Sequence, residues 1–366
     1  MRIDTLSLEN FRNYAGLEIT FHPKVNVIRG DNAQGKTNLL EAIVYLSRGR
    51  SPRARTDREM IGFDREFAKL TAQVFARERD FRVEAELNRG RRRRLWVNRA
   101  PVKTGGAMGV YTTVLFQPED LDLIREGAAA RRRFLDNALC QLRPRYAAAL
   151  ASYSRAHEQK TRILRDAEDH PDLLEALPEF SGQMVRFGAV LIHYRFRFIQ
   201  RLEEYAAVHH RECSGGREDL RLAYQTVSAV RDPSADVGTL AEWLEEHMRS
   251  HAQAERASRL CLSGPHKDDL LVTIDGREAR TYSSQGQTRT AALALKLAER
   301  ELYRNAAGEY PVLLLDDVLS ELDPKRQEFV LNRIAGGQVF ITCCEEDRLP
   351  QMLGGKVFHV EQGRIV

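Results

Sequence analysis

The chain has 366 residues, 43% hydrophobic and 30% charged, with a formal net charge of +4. Two or three domains and a large buried core fit that length. No apolar run approaches a membrane span and the N-terminus has no apolar signal region, which argues against a membrane or exported protein. The net charge says little about partners, but arginine is clustered in Arg91–Arg94 and in Arg131–Arg133. Cys140, Cys213, Cys261, Cys343 and Cys344 form no C-x-x-C pair and no metal spacing with histidine, so they are expected as small core thiols in a reducing cytoplasm.

Met1–Phe11 alternates apolar and polar residues like a half-buried strand, and after Phe11-Arg12-Asn13-Tyr14 a second alternating run carries Leu17, Ile19 and Phe21. Arg12 at the head of such a sheet could contact phosphate or stand in solvent. Next come the apolar Val25, Val27 and Ile28, then Gly30-Asp31-Asn32-Ala33-Gln34-Gly35-Lys36-Thr37, then Asn38-Leu39-Leu40-Glu41-Ala42-Ile43. Strand, glycine loop and helix give G-x-x-x-x-G-K-[ST] the context of a phosphate cradle. Loop amides and the helix N-terminus hold the anion, with Lys36 on the β- and γ-phosphates and Thr37 on Mg²⁺. Gly30 and Gly35 suit positive φ and close backbone approach.

Phe67 to Val74 and Phe81 to Leu87 read as a hairpin, with Leu95-Trp96-Val97 a further strand. Arg91, Arg92, Arg93 and Arg94 fall at the hairpin tip, either as a solvated turn or as a phosphate-contacting patch. Val114-Leu115-Phe116 is a strand that ends in the turn Gln117-Pro118-Glu119-Asp120-Leu121. From about Glu126 to Ala257 the pattern is helical, as in Arg131 to Leu139, Arg145 to Arg165, Phe180 to Val208 and Gly238 to Leu260, with one possible strand at Leu220 to Val227.

α/β character returns with Leu270 to Ile274 and an Asp275-Gly276 hairpin signal. Tyr282-Ser283-Ser284-Gln285-Gly286-Gln287 opens a long helix to about Tyr303. The apolar run Val312-Leu313-Leu314-Leu315 ends in Asp316-Asp317, and short strands follow at Val339 to Thr342, Val357 to Val360 and Arg364 to Val366. An apolar strand ending in an acid is the expected partner of a phosphate loop: Asp316 would hold Mg²⁺ through water and Asp317 would polarise the attacking water. Ser284, Gly286 and Gln287 at a helix N-terminus form a second anion site. One nucleotide cannot easily use both sites of one subunit, whereas a two-fold dimer with sandwiched nucleotides can.

Taken together, these motifs resemble the ATP-binding-cassette class that includes the SMC proteins, and within it the RecF family. The resemblance rests on Leu8-Glu9-Asn10-Phe11-Arg12-Asn13-Tyr14, the phosphate loop and its helix, Pro118-Glu119-Asp120-Leu121, Arg131-Arg132-Arg133-Phe134-Leu135-Asp136, Gly264-Pro265-His266-Lys267-Asp268-Asp269, the Ser284 motif and Leu315-Asp316-Asp317-Val318-Leu319-Ser320-Glu321-Leu322-Asp323. It implies an α/β SMC-like head (1–125 and 258–366) with a helical arm (126–257). It also implies an ATP-dependent homodimer on double-stranded or gapped DNA that helps RecO and RecR load RecA, in recombinational repair and the SOS response. By the same resemblance Asp323 lies in the D-loop, Gln117 stands where a Q-loop glutamine senses Mg²⁺, and Arg12 matches an arginine that approaches the nucleotide. Two spots depart from the family pattern, Gln159-Lys160-Thr161 and Pro52.

Many cassette ATPases carry a glutamate where Asp317 stands. The side chain here is one methylene shorter, so hydrolysis is expected to be slow. DNA contact is expected to be dominated by phosphate, through Arg91–Arg94 or the arm. No nuclease cluster is visible. A transporter's nucleotide-binding subunit shares the ATP motifs, but the basic helical insert, Thr342 in place of a histidine after Ile341, and the Ser320-Glu321-Leu322-Asp323 D-loop argue against it. An SMC-like scaffold without hydrolysis also fits.

Overall fold

The structure is a computed structural model that describes residues 1–102, 109–344 and 355–366. In chain order the strands are β1 (Arg2–Phe11), β2 (Tyr14–Thr20), β3 (Val25–Arg29), β4 (Phe67–Ala76), β5 (Arg79–Asn88), β6 (Arg94–Val97), β7 (Ala100–Pro101), β8 (Thr113–Phe116), β9 (Leu220–Gln225), β10 (Asp269–Ile274), β11 (Arg277–Glu278), β12 (Val312–Leu315), β13 (Val339–Cys343), β14 (Lys356–Glu361) and β15 (Arg364–Ile365). The helices are α1 (Lys36–Arg48), α2 (Ala128–Leu142), α3 (Pro144–Asp166), α4 (Leu177–Cys213), α5 (Val237–Ser258), α6 (Ala279–Tyr282), α7 (Gln285–Ala307) and α8 (Pro324–Arg333). They fall into two compact units, Met1–Leu121 with Lys296–Val366, and Asp122–Leu295.

The first unit holds two sheets. One is antiparallel, in the order β2-β1-β4-β5-β6-β7. The other, β15-β14-β3-β13-β12-β8, is parallel except at β14/β15. The two sheets differ in sequence because they differ in burial. β8, β12 and β13 are buried at every position, as parallel strands covered on both faces must be. β4 alternates instead. α1 shares one core with both: Leu39, Leu40, Ile43 and Tyr45 join Leu6, Leu8, Phe11 and Leu70 of the antiparallel sheet and Ile28, Leu314 and Phe340 of the parallel one.

Parallel register brings four strand ends to one edge. Leu315 pairs with both Phe116 and Ile341, and Thr342 pairs with Ile28. The segments that leave this edge are Gly30–Thr37 after β3, Gln117 after β8 and Asp316-Asp317 after β12. The carboxyl edge of a parallel sheet is where such folds bind ligands.

In the second unit, helices surround the small antiparallel sheet β11-β10-β9. Asp275 and Gly276, with φ of 50° and 75°, form the two-residue turn between β10 and β11, the primed hairpin expected of Asp-Gly. The polar motif Gly264–Asp269 is an internal brace. Arg131 forks onto Asp269 with both bonds at 2.7 Å, and Arg132 donates to Asp268 O at 2.6 Å. The Arg195 guanidinium donates to Asp136 at 2.8 Å and to Asp268 at 2.9 Å, and Tyr224 also donates to Asp268. A buried guanidinium is tolerated only when so fully paired. Arg131 and Arg132 are therefore structural; only Arg133 is exposed, beside Glu126 at 3.7 Å.

The unit boundaries differ from the expected head and arm limits at 125/126 and 257/258. Residues 258–295 group with the helices because β10 pairs with β9 over Asp269↔Gln225 to Ile274↔Leu220. The divergent Lys160 is a buried cation paired with Glu255 at 2.6 Å, and Thr161 contacts Cys261 Sγ at 3.4 Å. None of the five cysteines is in a disulfide. Cys261 and Cys343 are core thiols as expected, whereas Cys344 is exposed.

Candidate nucleotide-binding site

The phosphate loop is shaped by close approaches that only glycine permits. A Cβ on Gly30 (φ +151°) would lie 2.3 Å from Val360 O, and one on Gly35 (φ +121°) would lie 2.7 Å from the Asn13 side-chain nitrogen. Ala33 adds a third left-handed residue, at φ 65°. Alternating handedness of this kind turns successive N–H groups inward as an anion nest. Gly35 is also the N-cap of α1 and supplies no capping side chain, which leaves the positive end of the helix facing the loop.

Lys36 is 4% exposed, and its Nζ donates to Gly30 O at 2.6 Å and Asp31 O at 3.2 Å. The ammonium is thus held inside the curl of the loop. One residue on, Thr37 Oγ1 donates to Asp316 Oδ1 at 3.1 Å. Asp316 Oδ2 accepts from Gln117 Nε2 at 3.5 Å. Burial pushes the Asp316 carboxyl up, helped by the neighbouring Asp317 carboxylate and opposed by hydrogen bonds from Thr342, Thr37 and Gln117. A buried carboxylate and a hydroxyl converge beside a phosphate nest, with the Gln117 side chain next to them, where turning its amide would add an oxygen; oxygens of this kind are the hard donors that Mg²⁺ prefers. The donor set therefore fits a nucleotide with its Mg²⁺. Asp317 has φ 51°, and its carbonyl accepts from Ser320 Oγ at 2.6 Å.

Several partners of the loop are not evident from the linear motif. Asn13 Nδ2 donates to Gln34 O at 2.8 Å and its Oδ1 accepts from Asn38 Nδ2 at 2.8 Å, while the Tyr14 hydroxyl donates to Gly35 O at 3.0 Å. The β14–β15 turn grips Gln34 as well: Gln362 N donates to Gln34 Oε1 at 2.7 Å and Gly363 N to Gln34 O at 3.0 Å. Thr342 bridges the acids, donating to Asp316 Oδ1 at 2.9 Å and accepting from Asp317 N at 2.8 Å. Asn32 meets Cys344 Sγ at 3.8 Å.

The remaining candidates are placed as follows. Arg12 forks onto the buried Glu41 with two bonds of 2.8 Å and donates to Glu59 O at 2.6 Å, so its guanidinium is committed to a carboxylate on α1. Arg91 and Arg92 are exposed in the β5–β6 turn, and Arg94 is exposed on β6. Arg93 instead ties that turn down, 3.3 Å from both the Asp57 carboxylate and the Tyr45 hydroxyl. Ser284 starts α7 with a reciprocal cap: its N donates to Gln287 Oε1 at 2.9 Å and its Oγ accepts from Gln287 N at 3.2 Å. Gln287 also donates to Glu218 at 3.1 Å. Gly286 lies in the first turn of that helix.

Residues 2–365 match the family described as RecF/RecN/SMC N terminal domain. The chain belongs to the RecF family. The protein of Symbiobacterium thermophilum called DNA replication and repair protein RecF is 41% identical to this RecF-family chain, over all of this chain and 98% of its own length. The relative of that name from Alkaliphilus oremlandii is 37% identical over the whole of both chains. A solved structure described as the recombination mediator protein RecF with ATP in the RecFOR pathway superposes with a TM-score of 0.90 at 32% identity, covering all of this chain and 96% of that one. The architecture is accordingly an ATP-binding-cassette head of the SMC-like type carrying helical elements. Among the described residues no helix is long and apolar enough to cross a membrane.

Proposed function

We propose that this chain is an ATP-dependent DNA-binding protein of replication and recombinational repair, acting in the cytoplasm. The reading is carried by the convergence of Lys36, Thr37, Gln117 and Asp316 at one sheet edge, and is supported by the likeness to a RecF solved with ATP. In this reading Gly30 to Asn38 cradle the phosphates and Lys36 turns from the loop carbonyls to the β- and γ-phosphates. Thr37, Asp316 and Gln117 hold the Mg²⁺, whose chemistry is to neutralise charge on the phosphate oxygens. Asp317 orients water, and Arg12 supports the α1 end of the site through Glu41.

Ser284, Gly286 and Gln287 serve a second subunit. Their helix N-terminus completes the nucleotide site of a partner copy, so that ATP joins two chains head to tail on double-stranded or gapped DNA. The head of 1–125 and 258–366 holds ATP and the arm of 126–257 shapes the DNA-bound dimer. Slow hydrolysis then ends the complex, and the dimer assists RecO and RecR in loading RecA. Light scattering of Asp317→Asn with and without ATP and gapped DNA tests this. A dimer that forms only with ATP and outlasts that of the unsubstituted chain is expected, and a monomer under all conditions would overturn the reading.

A further inference from the structure

The arm carries a second basic surface of a different kind. Residues 144–157 on α3 and 180–202 on α4 contain no aspartate or glutamate. At the chain's average of 52 acids in 366 residues, about five would be expected across the two stretches. The same stretches are rich in arginine. Arg145, Arg155, Arg186, Arg197 and Arg201 are exposed, and none has a carboxylate partner within salt-bridge distance among the described residues.

The two acid-free stretches lie side by side. Tyr146 meets Tyr194 with ring centroids 6.0 Å apart, and a Cβ on Gly188 would contact Tyr153 at 3.3 Å, so α3 and α4 run antiparallel. Between them lies a groove of about 480 Å³ whose lining includes Ser152, Arg155, Gln183, Arg186 and Phe187. Its one carboxylate, Glu179, accepts from Gln183 Nε2 at 2.7 Å. Arg186 is braced over the Phe187 ring at 5.5 Å. Arg197 follows Arg186 by three turns on the same face, about 16 Å along the helix. Arg145 precedes Ser152 by two turns on α3, and because Tyr146 meets Tyr194 it lies at the same end of the α3–α4 pair as Arg197, beyond the groove. Ala148 and Ser152 between the arginines are small enough to let a backbone approach.

We infer that this α3–α4 face is a docking surface for the phosphate backbone of duplex DNA. The inference rests on the DNA-binding reading above and places the contact. Arg186 and Arg197, about 16 Å apart along one face, can each meet a phosphate of a duplex that carries one negative charge per about 1.7 Å of its axis. Contacts from these arginines to phosphate position a duplex without reading its sequence. The face also differs from the β5–β6 turn, where Arg93 is already engaged with Asp57.

The test is fluorescence anisotropy of the full chain with ATP and a labelled 30-base-pair duplex across a salt series. Arg186→Gln with Arg197→Gln is compared with Arg91→Gln plus Arg92→Gln. The arm pair is expected to weaken binding by about tenfold and to lower the slope of log affinity against log salt by about two. Fluorescent-ATP binding should be unchanged. Unchanged duplex affinity and slope in the arm pair would overturn the placement, and an arm pair that loses affinity for polyglutamate alone would assign the face to an acidic protein. Failure of the unsubstituted chain to bind duplex would overturn the DNA-binding reading itself, and the placement with it.

Discussion

The Thr342 hydroxyl donates to Asp316 Oδ1 at 2.9 Å and accepts from the Asp317 amide at 2.8 Å. One buried side chain at the end of β13 thus holds the acid that faces Thr37 and fixes the backbone of the next acid, whose φ is 51°. Thr342→Val removes both bonds and leaves a carboxylate and an amide without this partner, at about 1–3 kcal/mol each. The expected result is at least tenfold slower ATP hydrolysis with a higher Mg²⁺ requirement for nucleotide binding. Thr342→Ser should restore both, and titrations of fluorescent ATP with Mg²⁺ separate this effect from global unfolding.

Ser284→Arg should abolish ATP-dependent dimerisation while the monomer still binds ATP. The serine is exposed, and its loss removes a helix cap that contributes about 1 kcal/mol, too little to unfold the unit. Sedimentation velocity with ATP is the measurement. A dimer in that variant would exclude the two-fold nucleotide sandwich.

Lys160 and Glu255 form an ion pair at 2.6 Å with both side chains 3% exposed. Glu255 also accepts from the amides of Leu262 at 2.8 Å and Ser263 at 3.3 Å. Lys160→Met should cost about 3–5 kcal/mol by stranding a buried carboxylate. Lys160→Arg should cost much less, which urea denaturation followed by circular dichroism would show.

His266 is neutral in the fold. Its Nδ1 accepts from the Tyr153 hydroxyl at 2.7 Å and its Nε2 donates to Cys261 O at 3.1 Å. Burial, with His157 beside it, pushes its pKa down to about 3. The unfolded chain takes up this proton near pH 6.5 whereas the folded chain refuses it until about 3. The stabilisation is therefore complete above about pH 6.5 and declines as pH falls towards 3, by up to about 1.4 kcal/mol per pH unit. His266→Gln, which preserves both hydrogen bonds, should flatten that decline when stability is measured between about pH 7 and 4. His157, His210 and His247, also lowered by burial, should retain part of it.

What can be read along the chain is whatever local chemistry encodes. The glycine loop after an apolar strand, the wholly apolar β12 ending in two acids, the Asp275-Gly276 turn and the periodic helices of the arm each announce themselves within a dozen residues, because strand, turn and helix impose their own spacings. Pairing across the fold has no such spacing. Arg12 could equally have met phosphate or water, and only packing of β1 against α1 brings it to Glu41. Arg91–Arg94 and Arg131–Arg133 look alike as runs of charge, yet Arg93, Arg131 and Arg132 are hydrogen-bonded to specific oxygens while Arg91, Arg92 and Arg94 are exposed. The partners that hold Gln34, from Asn13 at one end of the chain and Gln362 at the other, meet only in the fold, where β14 lies beside β3 and Gly363 packs against the Asn13 backbone. Sequence determines which groups can bind phosphate and metal. Strand order, set by burial on both faces of a parallel sheet, decides that Lys36, Thr37, Gln117, Asp316 and Thr342 share one edge.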